Sequence, residues 1–425
     1  MTGTFRSLKG HNYRVWASGA IVSNVGTWMQ RTAQDWIVLT VLTHHNATAV
    51  GIVMSLQFGP MALLLPFTGF AADHWDRRKL LIATQAAMGA LALGLGLLTV
   101  TGVVQLWHVY VFALLLGCTT AFDAPARQTF VSELVGEADL SNAVALNSTS
   151  FNAGRLIGPA IAGLLIAAVG SGWVFLINAA SYVAVLASLR LLRVHELHRG
   201  ARAARKPGSL VEGFRYVWHR PDLKAVMLML FLVGTFGLNF PIYLSTMSVT
   251  VFHAGSREYG LLTSTMAIGS VIGALMSARR ARPKAAVLIG GALVFGVGMA
   301  VASAMPNYWL FGVLLVLVGV SVQTFNTTSN ATVQLSTDPE MRGRVMAILL
   351  AIALGGTPIG APFVGWVADH FGARWSLGVG AASGLLATIV GIHYFVKYRG
   401  LRLRLEGGRV RVHLEPPLRD NSVAT

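Results

Sequence analysis

The sequence predicts an all-α polytopic membrane protein, with twelve transmembrane helices in two six-helix, pseudo-symmetric bundles. Three observations predict this fold. The 425 residues are 54% hydrophobic and only 12% charged, whereas a soluble domain carries about 25% charged residues. Apolar runs of about 20 residues, each long enough to cross a bilayer, recur along the whole chain. In addition, the second half of the chain repeats features of the first.

The internal repeat is a shift of 202 positions that relates residues 154–163 to residues 356–365. The same shift pairs Trp107 with Trp309 and Gly117 with Gly319. Both stretches combine glycine and proline, and we expect matching helix kinks at Gly154, Gly158, Pro159, Gly360 and Pro362. Two similar membrane-embedded halves, each with a Gly/Pro-interrupted helix at a corresponding place, are typical of secondary transporters.

Hydropathy places six spans in each half of the chain. The resulting organisation is an N-terminal bundle at 1–192, a linker at 193–221, a C-terminal bundle at 222–398 and a tail at 399–425. An amphipathic helix is expected within the linker at 210–218, and alternation around Gly407-Gly408 predicts a β-hairpin in the tail. The spans are expected at 13–42, 48–72, 79–100, 104–125, 139–168, 171–192, 222–251, 257–278, 284–304, 307–333, 342–369 and 374–396.

The distribution of basic residues predicts the orientation. With the N-terminus in the cytoplasm, all but four of the 33 Lys and Arg residues fall in or beside cytoplasmic segments; the exceptions are Arg31, Arg155, Arg257 and Arg374. This asymmetry fits the positive-inside rule and predicts a multi-pass membrane protein with both termini in the cytoplasm. The net charge of +16 is therefore explained by the basic residues of the cytoplasmic segments, and no nucleic-acid partner is expected. The expected partner is membrane lipid, and the expected state is a monomer.

The connection after the second span carries a predicted gate. Gly69 would let a neighbouring helix approach closely. Asp73 would accept hydrogen bonds from a helix N-terminus and pair with Arg77 or Arg78. Such a cluster would hold one conformation of the protein. The alternative is ordinary anchoring of a basic loop in the cytoplasm.

These residues resemble the loop motif of the major facilitator superfamily, Gly-x-x-x-Asp-(Arg/Lys)-x-Gly-(Arg/Lys)-(Arg/Lys), from which His74 and Asp76 depart. The end of the motif, and the stretches 122–128 and 154–159, are similar to bacterial drug and siderophore exporters of that superfamily. This branch includes enterobactin exporters and macrolide and tetracycline efflux proteins. The resemblance covers about residues 10–400 and implies the fold described above. It also implies a location in a bacterial cytoplasmic (inner) membrane, and export of a cargo that it does not identify.

The first span carries a possible proton-coupling pair. Arg31 and Asp35 are four residues apart and share a helix face, with Gln34 adjacent. Ionisable residues within a span are costly, so each is a candidate functional residue. Burial disfavours the ionised form of Asp35 and the neighbouring arginine favours it, so Asp35 with Arg31 is the candidate site of proton binding and release. The alternative is a structural pair near the outer interface.

Polar residues in other spans are candidates for a cargo cavity. Arg155 either binds an anionic cargo or a carboxylate, or donates hydrogen bonds to carbonyl groups that Pro159 leaves free. The predicted cavity residues are Gln34, Asn152, Arg155, Asn239, Gln323 and Asn326.

Asp123 and Arg127, also four residues apart, are predicted to end the fourth span as a structural or gating pair, with cargo contact as the alternative. Many relatives in the superfamily carry an arginine within this span that is associated with proton coupling. The chain has no arginine between Leu106 and Phe122, which leaves the coupling residue open.

Enzyme motifs are missing from the sequence. There is no Gly-x-x-x-x-Gly-Lys-(Ser/Thr), so ATP is not expected to drive transport, and 195–198 lacks zinc-protease spacing. We expect no catalytic residue, cofactor or metal. The predicted function is secondary active export of amphipathic small-molecule cargo, of drug or siderophore type, by alternating access as a proton antiporter. The alternatives are a facilitator or importer of a small metabolite, and a membrane receptor or sensor without transport.

Overall fold

The computed structural model describes residues 3–64, 67–68, 71, 75–198, 210–280, 283–399, 401–406 and 409–414. The predicted gate residues Gly69 and Asp73 therefore lie outside the described residues. The N-terminal half contains α1 (His11–Ile37), α2 (Ala47–Leu63), α3 (Arg77–Val100), α4 (Leu106–Leu134), α5 (Glu137–Val169) and α6 (Ser171–Arg190). The remaining elements are α7 (Leu210–His219), α8 (Pro221–Leu232), α9 (Phe240–Thr246), α10 (Ser256–Ala278), α11 (Ala285–Ser303), α12 (Tyr308–Ser336), α13 (Arg342–Phe371), α14 (Ala373–Arg399), β1 (Leu401–Glu406) and β2 (Arg409–Leu414).

The helices are long and apolar, which makes this an all-α membrane protein fold. Within the described ranges, ten segments have the length and hydropathy to cross a membrane: α3 to α6, α8 with α9 as one segment, and α10 to α14. Helix α2 is shorter, at 17 residues. Helix α1 is 27 residues long and includes Arg31 and Asp35 in its second half. Because α1 and α2 are not among these ten segments, the total of twelve crossings stays a prediction.

Two helices differ from their predicted spans. Helix α4 continues to Leu134 instead of ending near residue 125, so Asp123 and Arg127 lie inside it. The expected span 222–251 is interrupted: a π-helical turn at Val233–Gly237 ends α8, and α9 starts at Phe240 after Asn239. Hydropathy does not detect the interruption because all of the intervening residues except Asn239 are apolar or small.

The two halves pack against each other through two helix pairs, α2 with α13 and α5 with α10. Glycines allow both approaches. A Cβ added to Gly51 on α2 would lie 2.5 Å from the carbonyl oxygen of Ala361, and one added to Gly163 on α5 would lie 2.5 Å from that of Ser256. No side chain fits at such distances, so the backbones of the two halves are in direct contact there.

The two ends of the bundle differ. We call the end at which α1 begins and α6 ends the basic face, and the end that carries the connections 43–46, 101–105 and 252–255 the loop face. Hydrogen bonds between the halves, among the described residues, run from the loop face to mid-bundle. Asp369 at the end of α13 accepts from the backbone N–H groups of Ala47 and Thr48, and Ser256 donates to the Gly163 carbonyl. Further along α2, Ser55 donates to the Pro358 carbonyl at 2.7 Å.

The basic face is organised within each half separately. In the N-terminal half, Asn12 and the Arg193 backbone exchange two hydrogen bonds, which tie the start of α1 to the end of α6. In the C-terminal half, α7 is fastened to α13 by the Arg344–Glu212 ion pair. The tail strands β1 and β2 pair antiparallel, with Leu401 opposite Leu414.

Candidate functional site

A cavity of about 200 Å³ lies between the two halves in the middle of the bundle, and we call it the inter-half cavity. Helices α1, α2 and α5 supply one wall and carry every charged residue that lines it. The opposite wall, from residues 238–244, α10 and α13, is mostly apolar. The lining residues are Trp28, Arg31, Thr32, Asp35, Met54, Gln57, Phe58, Arg155, Leu238, Phe240, Pro241, Leu244, Tyr259, Thr263, Met266, Ala267 and Thr357.

Two arginines flank one tryptophan in this cavity. The guanidinium carbon of Arg31 lies 5.0 Å from the centre of the Trp28 ring, and that of Arg155 lies 5.8 Å from it. Arg31 also lies 5.5 Å from the Phe58 ring. The aromatic faces attract both cations but leave their N–H donors free. The buried Nε of Arg31 has no hydrogen-bond acceptor.

Asp35 connects the two halves through Tyr259. Only 8% of Asp35 is exposed, and the Tyr259 hydroxyl of α10 lies 3.5 Å from its Oδ2, at the outer limit of a hydrogen bond. Trp36 of α1 stacks on the same tyrosine, with ring centres 5.8 Å apart. Among the described residues, no ion pair within 4 Å joins Asp35 to Arg31. Asp35 is therefore a buried carboxylate that faces a cavity and has one weak donor.

A second cavity, of about 550 Å³, lies within the N-terminal half, and we call it the N-half cavity. It shares Arg31 and Gln57 with the inter-half cavity, so the two are neighbours. It extends towards the basic face, as far as Val131 near the end of α4 and Val144 near the start of α5. Its lining is polar along most of this path, and it includes Asn24, Thr27, Gln30, Thr120, Asp123, Arg127, Gln128, Asn147, Ser148 and Asn152.

The Asp123 carboxylate is fully engaged within the N-terminal half. Its Oδ1 accepts from Thr84 at 2.8 Å and Gln85 at 2.6 Å. Its Oδ2 accepts from Arg127 through Nε at 3.0 Å and Nη2 at 2.7 Å. These bonds join α3 to α4 and satisfy the carboxylate, while Asp123 and Arg127 also line the N-half cavity.

Four predicted cavity residues line neither cavity. Gln34 is buried in α1, one position from the face that carries Asp35. Asn239 is fully buried at the break before α9, where its amide donates to the Thr235 carbonyl. Gln323 and Asn326 lie on α12, where Gln323 donates to Thr327 and the Asn326 carbonyl accepts from Asn330. Local hydrogen bonding along their own segments accounts for two of these side-chain amides, those of Asn239 and Gln323.

The Gly/Pro stretches remain inside continuous helices and serve close packing. Gly158 of α5 packs on Trp28: a Cβ added to Gly158 would lie 2.7 Å from the Cβ of Trp28. Gly154 packs on Asn24 in the same way, and Gly360 of α13 packs on Thr235. Arg155 makes no hydrogen bond to a carbonyl near Pro159 among the described residues, so that alternative gains no support.

Near the predicted gate, Arg77 forms an ion pair with Glu133 of α4 at 2.8 Å. The Nε of Arg78 donates to the Leu189 carbonyl at 2.8 Å. Asp76, which stands where the superfamily motif has glycine, caps α3 by accepting from the Lys79 N–H. These contacts fix the start of α3 within its own half.

Among the lining residues that the sequence interpretation missed are Trp28, Gln57, Phe58 and Tyr259. Gln57 had a usable signal, because it is an amide inside an apolar span, as Gln34 is. The aromatic residues had none, since aromatic side chains in a span pack against lipid or other helices more often than they line a cavity.

Comparisons with known proteins agree with this architecture. The family model described as "Transmembrane secretion effector" matches residues 2–404. The staphyloferrin A transporter of Staphylococcus aureus is 27% identical over 399 residues, which cover 92% of this chain and 97% of that protein. The multidrug efflux pump Tap of Mycolicibacterium fortuitum is 27% identical over 367 residues, which cover 83% of this chain and 88% of that protein. A solved bacterial homologue of the human lysosomal transporter Spinster superposes with a TM-score of 0.70 at 14% identity, covering 91% of this chain and 97% of that one.

Proposed function

The chain belongs to the transmembrane secretion effector family of the major facilitator superfamily and is a membrane transporter rather than an enzyme, and from that premise we propose that it exports amphipathic small molecules by proton antiport. The names of the two relatives support a cargo of siderophore or drug type. The bundles at 1–192 and 222–398 are proposed as the two units that move.

The observation that carries the proposal is the position of Asp35, a buried carboxylate in the cavity where the two halves meet. Alternating access requires a site that both halves share near the middle of the membrane. The inter-half cavity meets this requirement, since α1 supplies Asp35 and α10 supplies Tyr259. Its apolar wall suits the hydrophobic part of a cargo.

The asymmetry of the two ends supports loading from the cytoplasm. The positive-inside rule assigns the basic face to the cytoplasm. The halves are packed together at the loop face, and the N-half cavity extends towards the basic face. A cargo molecule would enter from the cytoplasm, and rocking of the halves would then separate α2 from α13 and α5 from α10 to release it outside.

Proton exchange would occur at Asp35. The charged and titratable groups that face it are Arg31 on its own helix, Arg155 on α5 and Tyr259 on α10. For antiport, cargo and proton must exclude one another, which a cargo with a cationic or hydrogen-bond-donating group at Asp35 would achieve. The cargo would displace the proton on the cytoplasmic side, and a proton from outside would displace the cargo after the halves had moved.

Transport into everted membrane vesicles, prepared from a host that lacks its own efflux pumps, tests the proposal. The probes are tetracycline, erythromycin and enterobactin. We expect at least one to accumulate when the vesicle lumen is acidified, and a protonophore to stop the accumulation. Asp35→Asn should abolish gradient-driven accumulation. The control Asp139→Asn, which removes an exposed ion pair with Arg6, should retain it.

Two results would contradict the proposal. Equilibration of a probe without dependence on the pH gradient would indicate a facilitator. Full gradient-driven accumulation by the Asp35→Asn protein would exclude that residue from coupling.

A further inference from the structure

We propose that the exported cargo carries an acidic group, bound between Arg31 and Arg155 beside the Trp28 ring, in addition to the donor group that faces Asp35. The cargo would thus be an amphipathic zwitterion or an acid with a separate donor. This inference rests on the proposed function in one respect: it takes the inter-half cavity as the cargo site.

The first argument is the balance of charge. The inter-half cavity holds two guanidinium groups and one carboxylate, so it has a net positive charge when Asp35 is ionised. Buried charges in proteins are normally paired, because an unpaired charge in a low-dielectric interior is costly. Within the described part of the chain, no carboxylate other than Asp35 lines this cavity. An anionic group from outside the protein would complete the balance.

The second argument is the unused hydrogen-bonding capacity. A guanidinium has five N–H donors in a planar arrangement that suits carboxylate, sulfonate and phosphate groups. Neither Arg31 nor Arg155 donates a hydrogen bond to any described residue, and the Nε of Arg31 is buried without an acceptor. The Trp28 ring orients both cations but offers them no acceptor atom. A ligand acid can supply that acceptor.

The third argument is the separation of chemical character across the cavity. The charged groups all lie on the wall from the N-terminal half, and the facing wall includes Leu244, Phe240 and Met266. Asp35 is one helical turn from Arg31 but forms no ion pair with it within the described residues, so its carboxylate is also available to a ligand. One cargo can therefore place an acid near Trp28, a donor at Asp35 and an apolar body against the C-terminal half.

Equilibrium binding to the purified full-length protein in detergent tests the inference with three matched probes. They are 3-(2-naphthyl)alanine, which has an acid and an amine, its carboxamide, which lacks the acid, and 3-(2-naphthyl)propionate, which lacks the amine. We expect the amino acid to bind more tightly than its carboxamide by about tenfold or more, because a hydrogen bond to a charged partner is lost with the acid. The propionate should also bind.

Variants assign the preference to residues. Arg155→Gln should weaken the two acid-bearing probes by about tenfold and leave the carboxamide unchanged, and Arg155→Lys should restore part of the difference. The matched control Arg257→Gln, at an exposed arginine on the loop face, should change none of them. Asp35→Asn should weaken the amine-bearing probes selectively.

The inference is overturned if the carboxamide binds as tightly as the amino acid, if Arg155→Gln weakens all three probes equally, or if no acid-bearing probe binds at millimolar concentration. These outcomes concern the chemistry of the cargo alone. Gradient-driven accumulation of a cargo in vesicles would then still support proton-driven export, so failure of this inference and failure of the proposed function are separable.

Discussion

Asp369 accepts a hydrogen bond from the backbone N–H of Thr48 at 2.8 Å, across the boundary between the two halves. The same carboxylate accepts from the Ala47 N–H at 2.6 Å and from the Thr48 hydroxyl. A negatively charged group at the N-terminus of a helix satisfies free N–H donors and interacts favourably with the helix dipole. The C-terminal half therefore caps α2 of the N-terminal half, and separation of the halves at the loop face would break this cap.

Asp369→Asn should favour opening of the loop face, because the amide keeps the shape of the cap but removes its charge. A charge-assisted cap contributes about 1 kcal/mol, so the open fraction should rise severalfold. A cysteine at Leu244, in the inter-half cavity, with Cys118 replaced by Ser, reports the opening. Membrane-impermeant maleimide should label it faster from the outside in the Asp369→Asn protein. An unchanged labelling rate, equal to that of an Asp139→Asn control, would show that the cap does not hold the loop face closed.

Gly163→Ala should prevent normal closure of the loop face. The added methyl group would meet the Ser256 carbonyl at 2.5 Å, and overpacking of this kind costs about 1–3 kcal/mol. Gly290→Ala is the matched control, since a Cβ at Gly290 meets nothing within 4 Å and alanine favours the helix. Thermal unfolding in detergent should show a lower midpoint for the first variant only. Equal midpoints would mean that α5 and α10 adjust without cost.

Asp123→Ala should destabilise the N-terminal half strongly, since it leaves the side-chain donors of Arg127 and Gln85 without their acceptor. Removal of one partner of a buried ion pair costs about 3–5 kcal/mol, and the partial exposure of Arg127 places the value at the lower end. Unfolding in increasing denaturing detergent measures the loss. The double variant Asp123→Ala with Arg127→Met should recover part of it, because no charge is then left unpaired. Without any such recovery, the loss would not come from the ion pair.

The orientation can be tested by cysteine labelling in intact cells, again with Cys118 replaced by Ser. A cysteine at His45, in the connection between α1 and α2, should react with impermeant maleimide because the loop face is predicted to lie outside. A cysteine at His195, exposed on the basic face, should react only after the cells are permeabilised. The reverse pattern would invert the topology and the proposed direction of transport.

The position of the charged residues away from lipid could be predicted from the sequence, for a physical reason. An ionisable residue in a span is too costly to face lipid, so Arg31, Asp35 and Arg155 had to face the interior or a cavity. All three line the inter-half cavity. The rule says nothing about which of them form pairs: Arg31 and Asp35 share a helix face, but no ion pair within 4 Å joins them among the described residues.

The uncharged part of the site was predicted less well. An amide in a span can bond to a nearby carbonyl of its own segment, as Asn239 does with Thr235, so its presence does not imply a cavity. Hydropathy also missed the break between α8 and α9, since hydrophobicity alone does not distinguish an α-helical turn from a π-helical one. The cap by Asp369 joins residues more than 300 positions apart, and no local pattern indicates it.

Arg31 and Gln57 each belong to the walls of both cavities. A compound bound in the N-half cavity therefore contacts side chains that a compound in the inter-half cavity also contacts. Two inhibitors of unrelated shape can then compete with each other without ever occupying the same volume, and mutual exclusion in a binding assay is not proof of a common docking position.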